Sequence, residues 1–354
     1  MKTVVTPNAK LDLMAAHMKE AVEARGIATN IKQVQGEKSS STWLSFTLHD
    51  KEFFYAKGMM LEYGADKWGR IGRNVNHGAT LLVADKHKAK TYLASKGFSV
   101  PTGEVFRRKK IEDAYQAFDS FSGPICVKPN RGSLGRCVYP ALKDRNWYQD
   151  AINRVAETYQ NILIEESVEG GHFRFFYVQP KVVGIRHGIP TSVVGDGIST
   201  LEELSKTKNA ERIRRNLPTH PPFPLDEDVH AFLASQGRSL DDVPAVAETV
   251  FLKGVSNAPA GADSFLRWDE VHPSYRRVVE QACKAVPGLL FSGVDIIIRD
   301  ISEPAEGGNH WILEMNTSPA ISSFYYPWEG DTVDVASDIV DLLLEHYQPA
   351  SHSN

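Results

Sequence analysis

Apolar residues recur at helical spacing in LDLMAAHMKEAVEARGI, residues 11–27, and the runs WLSFTLHD and EFFYAKG that follow read as strands. From Leu81 the pattern LLVADKHKAKTYLASKGFSVPTGEVF predicts strand, helix, glycine turn and strand, with Asp85 as N-cap and Gly97 closing the helix. GPICVKPNRGSLGRCVYP predicts a β-hairpin, and NILIEESVEGGHFRFFYV predicts two strands about a Gly-Gly turn. KVVGIRHGIPTSVVGDGISTLEEL then gives strand, loop and helix start. Prolines break the strand pattern between residues 205 and 248, which reads as an insertion holding a short helix at 227–236. HPSYRRVVEQACKAV is an amphipathic helix, LLFSGVDIIIRD and HWILEMN are adjacent strands, and DVASDIVDLLLEHY is an amphipathic closing helix. The class is α/β (α+β), with no internal repeat.

Composition narrows the class. At 354 residues, 42% hydrophobic and 24% charged, the chain has the balance of a folded globular protein with two or three domains. A net charge of -4 gives no general electrostatic reason for a nucleic-acid partner. Cys126, Cys137 and Cys283 are odd in number and far apart, so neither a disulfide framework nor a zinc site is expected. The N-terminal stretch lacks a signal-type apolar region, and no run approaches the roughly 18 to 20 apolar residues of a membrane span, so a cytoplasmic protein is expected.

The chemistry begins where apolar strands carry polar ends. Glu314 and Asn316, two apart in HWILEMN, share a face, and antiparallel pairing with LLFSGVDIIIRD would bring Asp295 to them. Carboxylate and amide oxygens without His or Cys suit Mg²⁺, which keeps waters and takes nucleotide phosphates as further ligands. The alternative is a capped strand end with a turn-forming Asn. Lys128 follows an apolar run, where an unpaired ammonium is costly to desolvate, so it should meet an anion. Lys90 lies on a helix, where a lone lysine more often faces solvent. The loop NRGSLGR, which contains Ser133, offers backbone N–H donors and two arginines to phosphates. Glu165, Glu166 and Val168, where a strand becomes a turn, suit adenine recognition by backbone atoms, or are an edge strand with solvated acids. Lys67, Arg70 and Arg73 lie in a glycine-rich loop that either contacts an anion or is solvated.

In order, these pieces resemble the ATP-grasp superfamily of carboxylate-amine ligases from about Leu81 to the C-terminus. Through VVGDGISTLEEL, QGRSLDDVP, FLKGVSNAPAGADSFLRWDEVHPSY and ILEMNTSPA the chain is similar to the ATP-grasp portions of cyanophycin synthetase and of the bifunctional glutamate-cysteine ligase/glutathione synthetase. The resemblance implies an ATP-grasp fold: an N-terminal unit at 1–85, a lid at 86–168 and a large subdomain at 169–354 carrying the 205–248 insertion. It implies Lys90, Lys128 and Ser133 on ATP phosphates, Glu165, Glu166 and Val168 at the adenine, and Asp295, Glu314 and Asn316 on two Mg²⁺, with Mn²⁺ able to substitute. His172 stands where the family often has a ribose-binding carboxylate, and Lys253 where it has an arginine. Arg174, Lys253 and Asn257 are the expected catalytic groups, acting on a carboxylate that becomes an acyl phosphate and then an amide. The expected partners are small carboxylate and amine substrates, amino acids or a short peptide, with neither nucleic acid nor membrane, and a homodimer as an allowed assembly. Arg70 or Arg73 is expected to hold the carboxylate donor, and Ser322, Tyr325 and Tyr326 to line the acceptor side. A phosphotransferase that stops at a phosphorylated product is the alternative enzyme, and a non-catalytic nucleotide-binding module the third reading.

Overall fold

The computed structural model describes residues 2–6, 9–35, 40–64, 71–133, 135–256 and 261–348. Its N-terminal unit comprises β1 (Lys2–Val5), α1 (Leu13–Glu23), β2 (Thr29–Gln35), β3 (Ser40–Leu48), β4 (Lys51–Ala56), β5 (Met59–Tyr63) and β6 (Gly72–Asn74). The six strands form an antiparallel meander in chain order. β3 and β4, the two strands that the pattern predicts, bury four residues each, more than any other strand of this unit whose burial is described. The helix α1 covers one face and the closing helix Val335–His346 packs against α1, so that Phe46, Phe53 and Tyr55 share one core with Ile339 and Leu343.

Two helices follow, α2 (His77–Val83) and α3 (Lys86–Ser95). The expected strand at Leu81 is instead the end of α2: Leu81 is exposed while Ala79 and Val83 are buried, a helical alternation that a three-residue apolar run cannot reveal. Asp85 caps α3 as expected, accepting from Lys88 N at 3.1 Å, and Gly97 follows the helix at φ +85°.

The second sheet contains β7 (Gly103–Arg107), β8 (Ile125–Pro129), β9 (Tyr139–Leu142) and β10 (Asn161–Glu166), in the spatial order β7-β10-β8-β9. Helices α4 (Ile111–Gln116) and α5 (Arg145–Thr158) join one face, where Ile125, Val127, Ile162 and Ile164 are buried. The other face carries Lys128 opposite Leu163, and Glu165 opposite Cys126 and Gly103. β8 and β9 pair as the expected hairpin.

The Gly-Gly turn after β10 does not close a hairpin. It carries the chain into a third, five-stranded sheet, ordered β15-β12-β11-β16-β17. Its members are β11 (Gly171–Val178), β12 (Lys181–Ile189), β15 (Asp263–Leu266), β16 (Phe291–Ile298) and β17 (His310–Asn316), with α8 (Ser274–Ala285) behind it. Between β12 and β15, a ribbon of β13 (Ser192–Val194) and β14 (Thr249–Phe251) packs with α6 (Leu201–Arg215) and α7 (Glu227–Ser235). The expected insertion point at 205 falls inside α6, which a Thr200–Glu203 capping box starts. Val193, Leu201, Phe223, Val229, Leu233, Val250 and Leu252 form a core of their own. The short α9 (Ser322–Tyr325) and α10 (Val335–His346) complete the chain. Among the described residues no helix is long and apolar enough to cross a membrane.

Because that small core is separate, Leu233→Ala, which removes a fully buried side chain, should destabilise it by about 2–5 kcal/mol. Hydrogen exchange should quicken across 192–252 while β11 and β16 keep their protection. Equal loss of protection in both regions would show a single cooperative core.

Candidate active site

Strand register assembles the centre of the site. In the five-stranded sheet Arg186 on β12 lies across from Arg174 on β11, Arg174 across from Asp295 on β16, and Asp295 across from Glu314 on β17. Residues directly opposite share a face, so one row of side chains crosses four strands. Asn316 faces Gly293 two residues along, on the same side as Glu314. The expected convergence of Asp295, Glu314 and Asn316 is therefore present.

Asp295 is buried and accepts two bonds from Arg174, at 2.8 Å from Nε and 2.7 Å from Nη2. His172 Nε2 lies 3.5 Å away, while its Nδ1 meets Ser256 Oγ at 2.7 Å. Against the desolvation that burial imposes, Arg174 and His172 hold the Asp295 carboxyl far below its usual range. The Asn316 amide reaches Asp295 Oδ2 at 3.1 Å and Glu314 Oε1 at 3.4 Å. Among the described residues no three His, Cys, Asp or Glu side chains cluster as a metal cage. Two carboxylates and an amide, all hard oxygen donors, still fit Mg²⁺, which is bound through one or two carboxylates together with substrate phosphates.

Arg186 is different. It is buried, its Nε has no partner, and among the described residues no carboxylate pairs with it. Burial, and then the charge of Arg174, lower its pKa to about 10, so it stays charged at neutral pH. Sequence reading passed it over, although an arginine inside the apolar run KVVGIRHGI is the same signal that marked Lys128.

At the second sheet the three expected residues, Lys90 of α3 with Lys128 and Glu165, form one buried cluster in which both ammonium groups meet the Glu165 carboxylate. The anion that Lys128 required is thus inside the protein. Gly103 leaves room for it, since a Cβ there would lie 2.4 Å from Glu165 Cβ. Burial, and then Lys128, lower the pKa of Lys90 to about 8, whereas Glu165 overcomes the burial penalty on Lys128 and raises its pKa. The lysine of α3 that reaches the third sheet is Lys86, whose Nζ is 3.0 Å from Glu314 Oε2 and 2.9 Å from the Gly132 carbonyl. A cation at the first position of a helix opposes the helix dipole, and that was the available sequence signal. Asn130 fastens α3 to the end of β8: its amide donates to Asp85 and its oxygen accepts from His87 N.

Other expected residues are dispersed. The Glu166 carboxylate accepts from Thr102 N at 2.9 Å. Val168 lies between β10 and β11, half-buried, and Ser133 is exposed in the glycine loop. Lys253 Nζ donates to Asp226 at 3.1 Å, at the start of α7. That bond engages it with the small α6–α7 unit. Tyr325 donates to Asp334 and accepts from Ala336 N, the Tyr326 carbonyl accepts from Thr219, and Ser322 begins α9. Arg73 shares a sheet face with Glu62, and the side chain of β6 that reaches Ser318 is Asn74 on the opposite face. Arg70, Lys67 and Asn257 lie outside the described residues.

No family model matches the chain. Over 269 residues it is 34% identical to the glutathione biosynthesis bifunctional protein GshAB of Clostridium perfringens, an alignment covering 75% of this chain and 34% of that protein. Over 278 residues it is 30% identical to the cyanophycin synthetase of Synechocystis sp., covering 76% of this chain and 31% of that protein. The chain belongs to the ATP-grasp superfamily of carboxylate-amine ligases. The ATP-grasp fold is shared with a bifunctional glutathione synthetase from Pasteurella multocida, at TM-score 0.61 and 22% identity over 95% of this chain and 44% of that one. This ATP-grasp chain spans about a third of the length of the two curated relatives.

Two ammonium groups on one carboxylate leave surplus positive charge beside the second sheet, and Lys90 surrenders it as pH rises through about 8. Affinity for a non-hydrolysable ATP analogue should therefore fall between about pH 7 and about pH 9, and the fall should vanish in Lys90→Met. The same pH profile in parent and variant would remove Lys90 from nucleotide binding.

Proposed function

We propose that the chain is an ATP-dependent ligase that joins a small carboxylate to a small amine, both amino-acid-like, through an acyl phosphate, with release of ADP and phosphate. The observation that carries this reading is Arg186, buried beside the Arg174–Asp295–Glu314 row with its Nε unpartnered and, among the described residues, in no ion pair. A phosphoryl group in transit supplies the missing negative charge. The relatives named for glutathione biosynthesis and cyanophycin synthesis make amide-forming chemistry on amino-acid substrates the natural expectation. In this reading residues 1–85, 86–168 and 169–354 act as N-terminal unit, lid and large subdomain.

Asp295, Glu314 and Asn316 would hold Mg²⁺, which when bound neutralises phosphate oxygens and offsets their repulsion of an incoming carboxylate. Lys86 and Lys128 face the phosphates from the lid side, where Ser133 and the neighbouring backbone N–H groups cover them. The backbone from Glu165 to Val168 holds the adenine, and His172 the ribose. A substrate carboxylate oxygen attacks the γ-phosphorus, the bond to ADP breaks, and Arg186 and Arg174 stabilise the charge spread over the transferring group. The amine nitrogen then attacks the acyl carbon. The oxyanion that forms is close to Arg186, and collapse breaks the bond to phosphate, which departs with the oxygen that the carboxylate contributed. Lid closure excludes the water that would otherwise hydrolyse the acyl phosphate.

ATP offered with panels of carboxylates and amines tests the reading through ADP release that requires one of each. ADP release with a carboxylate alone, and no amide, would indicate the phosphotransferase instead. In the working pair, Asp295→Asn, Glu314→Gln and Arg186→Met should each lower turnover about 10²–10³-fold while staying folded, by comparison with single electrostatic contributions elsewhere. Near-parental turnover in folded Asp295→Asn and Arg186→Met would sink the assignment.

A further inference from the structure

Asn76 immediately precedes α2, and its side chain is fully buried. An Asn in that place ordinarily accepts from its own helix, yet it makes no such bond. Its Nδ2 donates instead to the carbonyls of Phe291 at 2.9 Å and Thr317 at 3.1 Å, while Oδ1 accepts from Leu290 N at 2.7 Å and Phe291 N at 3.3 Å. Two N–H groups and two lone pairs are thereby all used. The partners belong to two segments only. Leu290 and Phe291 are the entry to β16, which carries Asp295, and Thr317 directly follows Asn316.

Two more contacts from the N-terminal sheet fall on the same stretch. Asn74 Nδ2 reaches Ser318 Oγ at 3.4 Å, and Asn74 Oδ1 accepts from Asn76 N at 2.8 Å. In the β4–β5 turn Gly58, at φ +80°, approaches so closely that a Cβ would lie 2.6 Å from the Pro319 carbonyl oxygen and 2.9 Å from that of Ser318. Asp12 holds this turn from behind, accepting from Lys57 N at 3.0 Å.

We infer that Asn76 is a positioning residue for the cation site: by clamping Phe291 and Thr317 it fixes the separation of Asp295 from Asn316, and the N-terminal sheet is the backstop of that site. This inference rests on the assignment of Asp295, Glu314 and Asn316 to Mg²⁺. A small displacement of one strand end matters because Mg²⁺ demands near-ideal octahedral geometry, with ligands at about 2.0–2.1 Å.

The test measures Mn²⁺ binding to the purified chain, by the electron paramagnetic resonance of free Mn²⁺ with a non-hydrolysable ATP analogue present. Asn76→Asp keeps the volume and the acceptor but places an oxygen against two carbonyls, and Gly58→Ala pushes on Ser318 and Pro319 from the turn. The Mn²⁺ dissociation constant should rise about tenfold or more in Asn76→Asp, the scale of outer-shell effects on metal affinity, and measurably in Gly58→Ala. Leu233→Ala, a buried change in the separate core around α6 and α7, should lower Tm and leave Mn²⁺ binding alone. The parental dissociation constant in folded Asn76→Asp overturns the inference, and in Gly58→Ala it does so if Asn76→Asp does not fold. A parent chain that binds no Mn²⁺ overturns the cation assignment itself, and this inference with it.

Discussion

A carboxylate as buried as that of Asp295 stays ionised only where its surroundings replace the water it has lost, and the architecture of the third sheet follows from that demand. Arg174 supplies a two-pronged cation from the strand on one side, and Asn316 an amide from the strand on the other. Removing either partner of such a buried pair leaves the other uncompensated, typically at about 3–5 kcal/mol. The antiparallel register of β11, β16 and β17 is therefore tightly specified, because a slip of one residue would turn Asp295 into the apolar layer beneath, among Val294 and Ile296. The same register carries Glu314 to the rim and Arg186 to the far end of the row, so structural necessity and site geometry have one origin.

The second sheet repeats the principle with the signs reversed. Glu165 compensates two lysines, and Asp85 and Asn130 tie the helix bearing Lys86 and Lys90 to the end of β8. This helix, the β8–β9 hairpin and the third sheet meet where Lys86 reaches Glu314 and the Gly132 carbonyl. Behind them the N-terminal sheet presses on the residues after Asn316, so all three sheets touch the site.

Legibility in the sequence followed the strength of local patterning. VDIII and WILEMN are apolar strands broken by acids, and their pairing was readable with its polar residues in register. The helices at 86–95 and 335–346 were equally plain from Asp caps and apolar stripes. β1, β2, β5 and β6 were not: TNIKQVQ is largely polar and half-exposed, and its strand is held by neighbours distant in sequence. Lys90, Lys128 and Glu165 each carry a signal in the sequence, yet their mutual pairing does not, because it depends on how α3 docks on the second sheet. Arg186 and Lys86 did carry local signals, a cation within an apolar run and a cation at a helix start. Asn76 carried none, since its work is done on backbone groups more than 200 residues away.

The central claim is that a carboxylate is activated by phosphoryl transfer on this row of charges. Its most direct measurement uses the carboxylate that supports amide formation, labelled with ¹⁸O in both carboxyl oxygens, followed by mass analysis of the released phosphate and of the amide. The account predicts one ¹⁸O in each phosphate and one retained in the amide, because the oxygen that attacks phosphorus leaves with it. Unlabelled phosphate accompanying labelled amide would contradict an acyl-phosphate path and the role assigned to Arg186.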